Sequence, residues 1–154
     1  MKIGIILYSY TGNTLSVAQR IEEALKAAGH TVTIDRVEPE SDKQNPGTPI
    51  KLKSAPDVSS YDAVIFASPV QAFSLAAVMK QYLSGISGLE GKKVYCFVTQ
   101  QLKKGWMGGN RALKQIAAAC KAKGAMATSG GIVHWSSPSR EDQILEVVKK
   151  LGTI

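Results

Sequence analysis

Ser9, Thr11 and Thr14 bring three aliphatic hydroxyls into one short run, with Tyr10, Gly12 and the Asn13 amide between them. The run separates an apolar stretch, residues 2–8, from an amphipathic one that reaches about residue 28. It therefore reads as the link between a buried strand and a helix. Backbone N–H groups and the helix dipole at such a junction favour an anion, and hydroxyls and an amide add donors, so a phosphate fits there. The bland alternative is an ordinary helix-capping turn. The loop itself carries no cation. It meets neither GxxxxGK[ST] nor GxGxxG, which disfavours ATP and NAD as the resident ligand. Nor does it carry paired carboxylates.

Two further groups follow apolar runs. Ser68, Pro69, Val70, Gln71, Ala72 and Phe73 come after residues 62–68. Thr99, Gln100 and Gln101 come after residues 92–99 and lead through Trp106 to Gly108 and Gly109. Phe73 reads equally well as a cover for a flat ligand or as a core side chain opening a helix. Trp106, with glycines on both sides, is either a stacking residue or a lid packed on the protein's own surface. Ala72 is not glycine, so a positive φ beside it is expected to be costly.

The remaining reactive types read as structural. Cys96 falls in an apolar run and Cys120 on the apolar face of a helix, and the two give no metal spacing and no disulfide framework. His30 follows a helix-ending glycine and is expected at the surface. His134 falls near the end of the last strand without a carboxylate partner. No metal site and no nucleophilic triad is expected.

The elements that must position these groups alternate between strand and helix patterns along the chain, which is the grammar of a parallel α/β sheet. Strands are expected at residues 2–8, 31–36, 62–68 and 92–99 and within 125–135. Helices are expected from the first loop to about residue 28, from about Leu75, over Leu113, Ile116, Ala117 and Cys120, and from near Ser139. There Ser139-x-x-Asp142 resembles a capping box. Residues 37–60 hold Pro39, Pro46, Pro49 and Pro56, so a full regular helix is unexpected there. Five strands and about four helices fill residues 1–154 as one domain. In such a sheet the ligand crevice lies beyond the carboxyl ends of the strands, where all three polar groups stand.

Nineteen Lys and Arg against twelve Asp and Glu leave a formal charge of +7 among 154 residues. The lysines occur as scattered pairs, so a solvated basic surface is favoured over a nucleic-acid footprint. No apolar run has membrane-spanning length and no signal-peptide pattern opens the chain, so a cytoplasmic protein without nucleic-acid or membrane partners is expected.

With Ser9, Thr11, Gly12, Asn13 and Thr14 in the pattern [ST]-x-[ST]-G-N-T, and Ser68-Pro69-Val70 in the second loop, the chain resembles the flavodoxin family over nearly its whole length. The resemblance implies a three-layer α/β sandwich with a five-stranded parallel sheet of order 2-1-3-4-5 and FMN as cofactor. It implies that the first loop holds the FMN phosphate. The ring would lie among Gln71, Phe73, Thr99, Gln100, Gln101 and Trp106, bordered by Gly108 and Gly109. Relatives often carry an aromatic or a glycine where this chain has Gln71 and Ala72, which disfavours stabilisation of the half-reduced flavin. Basic charge is expected to ease flavin reduction: a lysine roughly 8 Å away contributes about 2 kcal/mol at an effective dielectric of about 20. That is on the order of 80 mV, with Lys103, Lys104, Arg111 and Lys114 as the contributors. Two functions follow. One is electron transfer between protein partners, acidic ones docking on the basic rim. The alternative is a small FMN-dependent NAD(P)H oxidoreductase of the quinone-reducing type.

Overall fold

The computed structural model describes residues 1–41 and 47–154. Its strands are β1 (Lys2–Leu7), β2 (Thr31–Arg36), β3 (Glu38–Pro39), β4 (Leu52–Ser54), β5 (Ala63–Gln71), β6 (Ser74–Leu75), β7 (Lys93–Gln100) and β8 (Ala127–His134). Its helices are α1 (Asn13–Ala27), α2 (Ala77–Gly85), α3 (Gly109–Ala122) and α4 (Arg140–Leu151), with a 3₁₀ turn over Gly105–Met107. Five strands form a parallel sheet in the order β2-β1-β5-β7-β8, the expected 2-1-3-4-5, and β6 folds back antiparallel on the end of β5.

The sheet is sandwiched because its alternate side chains feed two apolar layers. Ile6, Val64, Phe66, Val94 and Val98 face α2 and α3, where Met79, Tyr82 and Ile116 meet them. Ile3, Ile5, Leu7, Ile65 and Phe97 face α1 and α4, where Val17, Ile21, Leu25 and Val147 meet them. In α1 the buried positions Thr14, Val17, Ala18, Ile21 and Leu25 recur at helical spacing. Gly29 ends that helix at φ 93° while the N–H of His30 donates to the Leu25 carbonyl. In register, Leu7 pairs with Ala67 and Ala67 with Phe97, so the first three inner strands release their loops at one level.

Two expectations are corrected. The helix expected from Leu75 starts at Ala77, because Ser74 and Leu75 pair with Gln71 and Val70 as a hairpin instead. At α4, Ser139 is the N-cap but makes no side-chain capping bond, so the capping box does not form. On α3, Ile116 and Cys120 are fully buried and Leu113 packs half-buried against the same core, with Ala112 as a further buried position. In the proline-containing stretch the described residues form only the short β3–β4 ladder; Pro46 lies outside the described residues.

The interior holds acids that ionise only at high pH. Burial, then the hydrogen bond to Asp35, pushes Tyr61 up to about 12 from its usual value near 10. Burial pushes the thiols of Cys96 and Cys120 up to about 12 and about 11 and raises Tyr82 as well. Each group's folded-state pKa lies above its unfolded value. Their contribution is thus fully present below about pH 9 and is lost as pH rises through about 12. Urea unfolding is expected to show stability flat up to pH 9 and falling above it, with a shallower fall in Tyr61→Phe above pH 10. A flat profile to pH 11 would contradict this.

Candidate functional site

The three polar loops meet at the carboxyl ends of β1, β5 and β7, and residues from all three line one cleft. Tyr10, Thr11 and Asn13 form one wall, Pro69, Val70 and Gln71 another, and Thr99, Gln100 and Gln101 the third. None of these side chains is charged, and the volume is about 140 Å³. That is below the roughly 300 Å³ of a typical ligand pocket. A cleft of this size has room for only part of a nucleotide-sized ligand.

The first loop leaves backbone donors unpartnered among the described residues. Gly12 is the N-cap of α1, at φ 93°, and it supplies no capping side chain. Its carbonyl accepts the Ser16 N–H, and the Leu15 N–H donates to Ser9 Oγ at 3.3 Å. The N–H groups of Asn13 and Thr14 have no partner among the described residues, and no acidic residue stands in the first turn of α1. Thr11 is exposed, and the side chains of Thr11 and Asn13 form no hydrogen bond within the described chain. Unpartnered donors at a helix start suit a phosphate ester. Thr14 is committed elsewhere: its buried hydroxyl and that of Thr99 are 2.8 Å apart, tying the first loop to the third.

Although the loop carries no cation of its own, one stands behind it. The Arg36 guanidinium, at the end of β2, donates to the Ser9 carbonyl at 3.2 Å. The strand order beside β1 was the signal that could have found it.

The second loop is a tight hairpin. Val70 pairs with Leu75 and Gln71 with Ser74, leaving Ala72 and Phe73 as the two turn residues, at φ 51° and 59°. The cost expected of a positive φ at Ala72 is thus present in the structure, at two consecutive non-glycine residues. Gln115 of α3 holds the turn by accepting the Ser74 hydroxyl at 3.0 Å and the Leu75 N–H at 2.9 Å. Phe73 does not enter the core and opens no helix; the residue is 62% exposed. Ser68 is fully buried, its hydroxyl donating to the Pro69 carbonyl at 2.9 Å.

In the third loop Gln100 is buried, and its Nε2 donates to the carbonyls of Leu102 and Lys104, both at 2.8 Å. Its Oε1 is buried without a partner. Sequence reasoning missed two other supports of this loop: His134 Nδ1 donates to the Leu102 carbonyl at 2.8 Å, and the Ser136 hydroxyl donates to the Gln101 carbonyl. Trp106 sits in the 3₁₀ turn, 75% exposed. It does not line the cleft, but Gly108 leans its loop on the hairpin, since a Cβ there would lie 2.8 Å from the Phe73 backbone. Gly109 packs as closely on Gln100 and Ile132. Lys103, Lys104, Arg111 and Lys114 are all exposed, so solvent screens much of their field.

The exposed apolar side chains Tyr10, Phe73, Leu102 and Trp106 belong to the loops that build the cleft. Hydroxyls and amides at one end, an uncharged slot and unburied aromatics around it fit a phosphorylated planar ring such as FMN. Among the described residues no group of His, Cys, Asp and Glu could hold a metal ion, and no helix is long and apolar enough to cross a membrane.

Comparison with known proteins gives the same kind of molecule. The sequence profile of the NADPH-dependent FMN reductase family matches residues 1–134. An NAD(P)H dehydrogenase (quinone) of Archaeoglobus fulgidus is 27% identical over 124 residues, covering 68% of this chain and 64% of that one. The chain thus spans just under two thirds of that relative's length. Among solved structures it is similar to the two-electron reduced flavodoxin of Megasphaera elsdenii, at a TM-score of 0.69 and 22% identity over 99% of each chain. It is also similar to the Fusobacterium nucleatum flavodoxin bound to flavin mononucleotide, at a TM-score of 0.65 and 13% identity over 99% of this chain and 95% of that one. At such identities the likeness is one of fold.

Proposed function

This chain belongs to the NADPH-dependent FMN reductase family and is a flavodoxin-like FMN protein, and on that premise we propose that it passes reducing equivalents from NAD(P)H to a quinone-type acceptor. The observation that carries the reading is the openness of the cleft: its walls are uncharged and shallow, and aromatic side chains stand exposed around it. A second planar molecule can then approach the face of the first.

FMN, when bound, supplies the chemistry, taking hydride from a reduced nicotinamide and yielding electrons to an acceptor. The chain's own residues do the holding. The Thr11 hydroxyl, the Asn13 amide and the free N–H groups of Asn13 and Thr14 donate to the phosphate. Pro69 and Val70 offer an apolar wall to the ring, and the Gln71 and Gln101 amides face its polar edge. The Thr14–Thr99 hydrogen bond fixes the distance between the phosphate end and the ring end. Phe73 and Trp106, exposed in the loops that build the cleft, are free to fold over the ring at its rim.

Electron carriage between proteins is the second reading. It is favoured by the exposed Leu102, Lys103, Lys104 and Trp106, an apolar and basic edge suited to an acidic partner. Steady-state oxidation of NADPH by the FMN-loaded protein under anaerobic conditions, with a soluble quinone, tests the first reading. Turnover on the order of 1 s⁻¹ or faster is expected. If NADPH and NADH both remain unoxidised while flavin is bound, the reductase reading falls and the carrier reading replaces it.

A further inference from the structure

A second cleft shares Tyr10 with the first. It has a volume of about 340 Å³, within the range of small-molecule sites. Its chemistry differs from that of its neighbour. The first cleft has no charged side chain, whereas this one collects Arg36, Lys53, Glu38 and Glu40. Among the described residues none of these four is in an ion pair, the two pairs formed being Arg20–Glu141 and Lys26–Glu22. Two cations and two carboxylates thus share a concavity with no ion pair between them among the described residues. Arg36 is the last residue of β2 and is anchored by its bond to the Ser9 carbonyl. Lys53 reaches the same space from β4.

We propose that this cleft binds a phosphorylated ribonucleoside, the adenosine 2′-phosphate end of NADPH. The inference rests on the reductase reading above and names the part of the reductant that the chain recognises. Arg36 and Lys53 take the phosphate, the first as a planar fork and the second as a point charge. One of Glu38 and Glu40 accepts a hydrogen bond from the 3′-hydroxyl, the one hydroxyl that a 2′-phosphorylated ribose keeps free, and the exposed Tyr10 ring offers a face to the base. The mixed charge selects this class of ligand. A bare inorganic anion would meet two carboxylates along with the two cations, but a sugar phosphate uses both signs.

Titration calorimetry of the FMN-loaded protein with 2′,5′-ADP and 5′-AMP tests the site. The 2′-phosphate is expected to improve affinity about tenfold or more, and Arg36→Met and Lys53→Met are each expected to erase most of that preference. Arg36→Lys should restore part of it. The preference is a ratio, so a general loosening of the loop by the Arg36 change does not imitate the effect. Equal binding of the two nucleotides, an unchanged preference in both methionine variants, or displacement by inorganic phosphate at the same concentration as 2′,5′-ADP would overturn the proposal. Kinetics separate it from the reading beneath it. If NADPH is oxidised and Lys53→Met leaves the NADPH-to-NADH ratio of kcat/KM unchanged, this site falls and the reductase stands. If neither dinucleotide is oxidised but the nucleotide preference depends on Lys53, the site stands and the reductase falls.

Discussion

Gly108→Ala is expected to lower the stability of the fold by about 2–5 kcal/mol. Two costs add at this position. The backbone lies at φ 124° and ψ −28°, a region closed to side chains. The new Cβ would also stand 2.6 Å from Val70 Cγ1 and 2.8 Å from Phe73 backbone atoms, so the hairpin itself must shift. For a chain of this size each kcal/mol is worth about 2–4 °C, so a fall in Tm of roughly 5–15 °C follows. FMN affinity should fall with it, because Val70 belongs to the cleft wall. Gly12→Ala is the natural comparison. It too has a positive φ, 93°, but a Cβ there meets nothing within 4 Å, so only the conformational cost of about 1–2 kcal/mol applies. Thermal unfolding of the two variants side by side checks the difference, and equal melting temperatures would contradict it.

Thr11→Asp should weaken FMN binding about a hundredfold while leaving the fold intact. Two like charges about 4 Å apart repel by about 4 kcal/mol at an effective dielectric of about 20. Exposure of Thr11 reduces that to about half, and the lost hydroxyl donor adds about 1 kcal/mol. The sign of the stability change guards against a trivial explanation. A carboxylate just ahead of α1 interacts favourably with the helix dipole, by about 0.3–1 kcal/mol. The apoprotein's Tm should therefore hold or rise slightly as affinity falls. Flavin fluorescence quenching reads the affinity; if Thr11→Asp binds FMN as tightly as the parent, the phosphate is held elsewhere.

The order of strands and helices was legible because each uses a different apolar period, and the loop at residues 9–14 because its donors sit together in the chain. The hairpin at Ala72 and Phe73 was not legible. A turn with two positive φ values is ordinarily marked by glycine, asparagine or aspartate, and the segment Gln71-Ala72-Phe73-Ser74 has none. Distant residues impose it instead, Gln115 by hydrogen bonds and Gly108 by giving way. Arg36 escaped notice, and His134 was noticed without its partner, for a related reason. Each is an unremarkable residue at a strand end, and only the lateral neighbour supplied by the sheet, the Ser9 carbonyl for one and the Leu102 carbonyl for the other, gives it work.

Tyr10 is a partition common to two hollows. When an occupant of one hollow favours a particular rotamer of that ring, the energy of doing so is felt by the occupant of the other. Thermodynamic reciprocity then requires the two influences to be equal. A flavin that tightens the hold on a nucleotide must be held more tightly by that nucleotide, to the same factor, and trimming the partition to alanine should uncouple the pair.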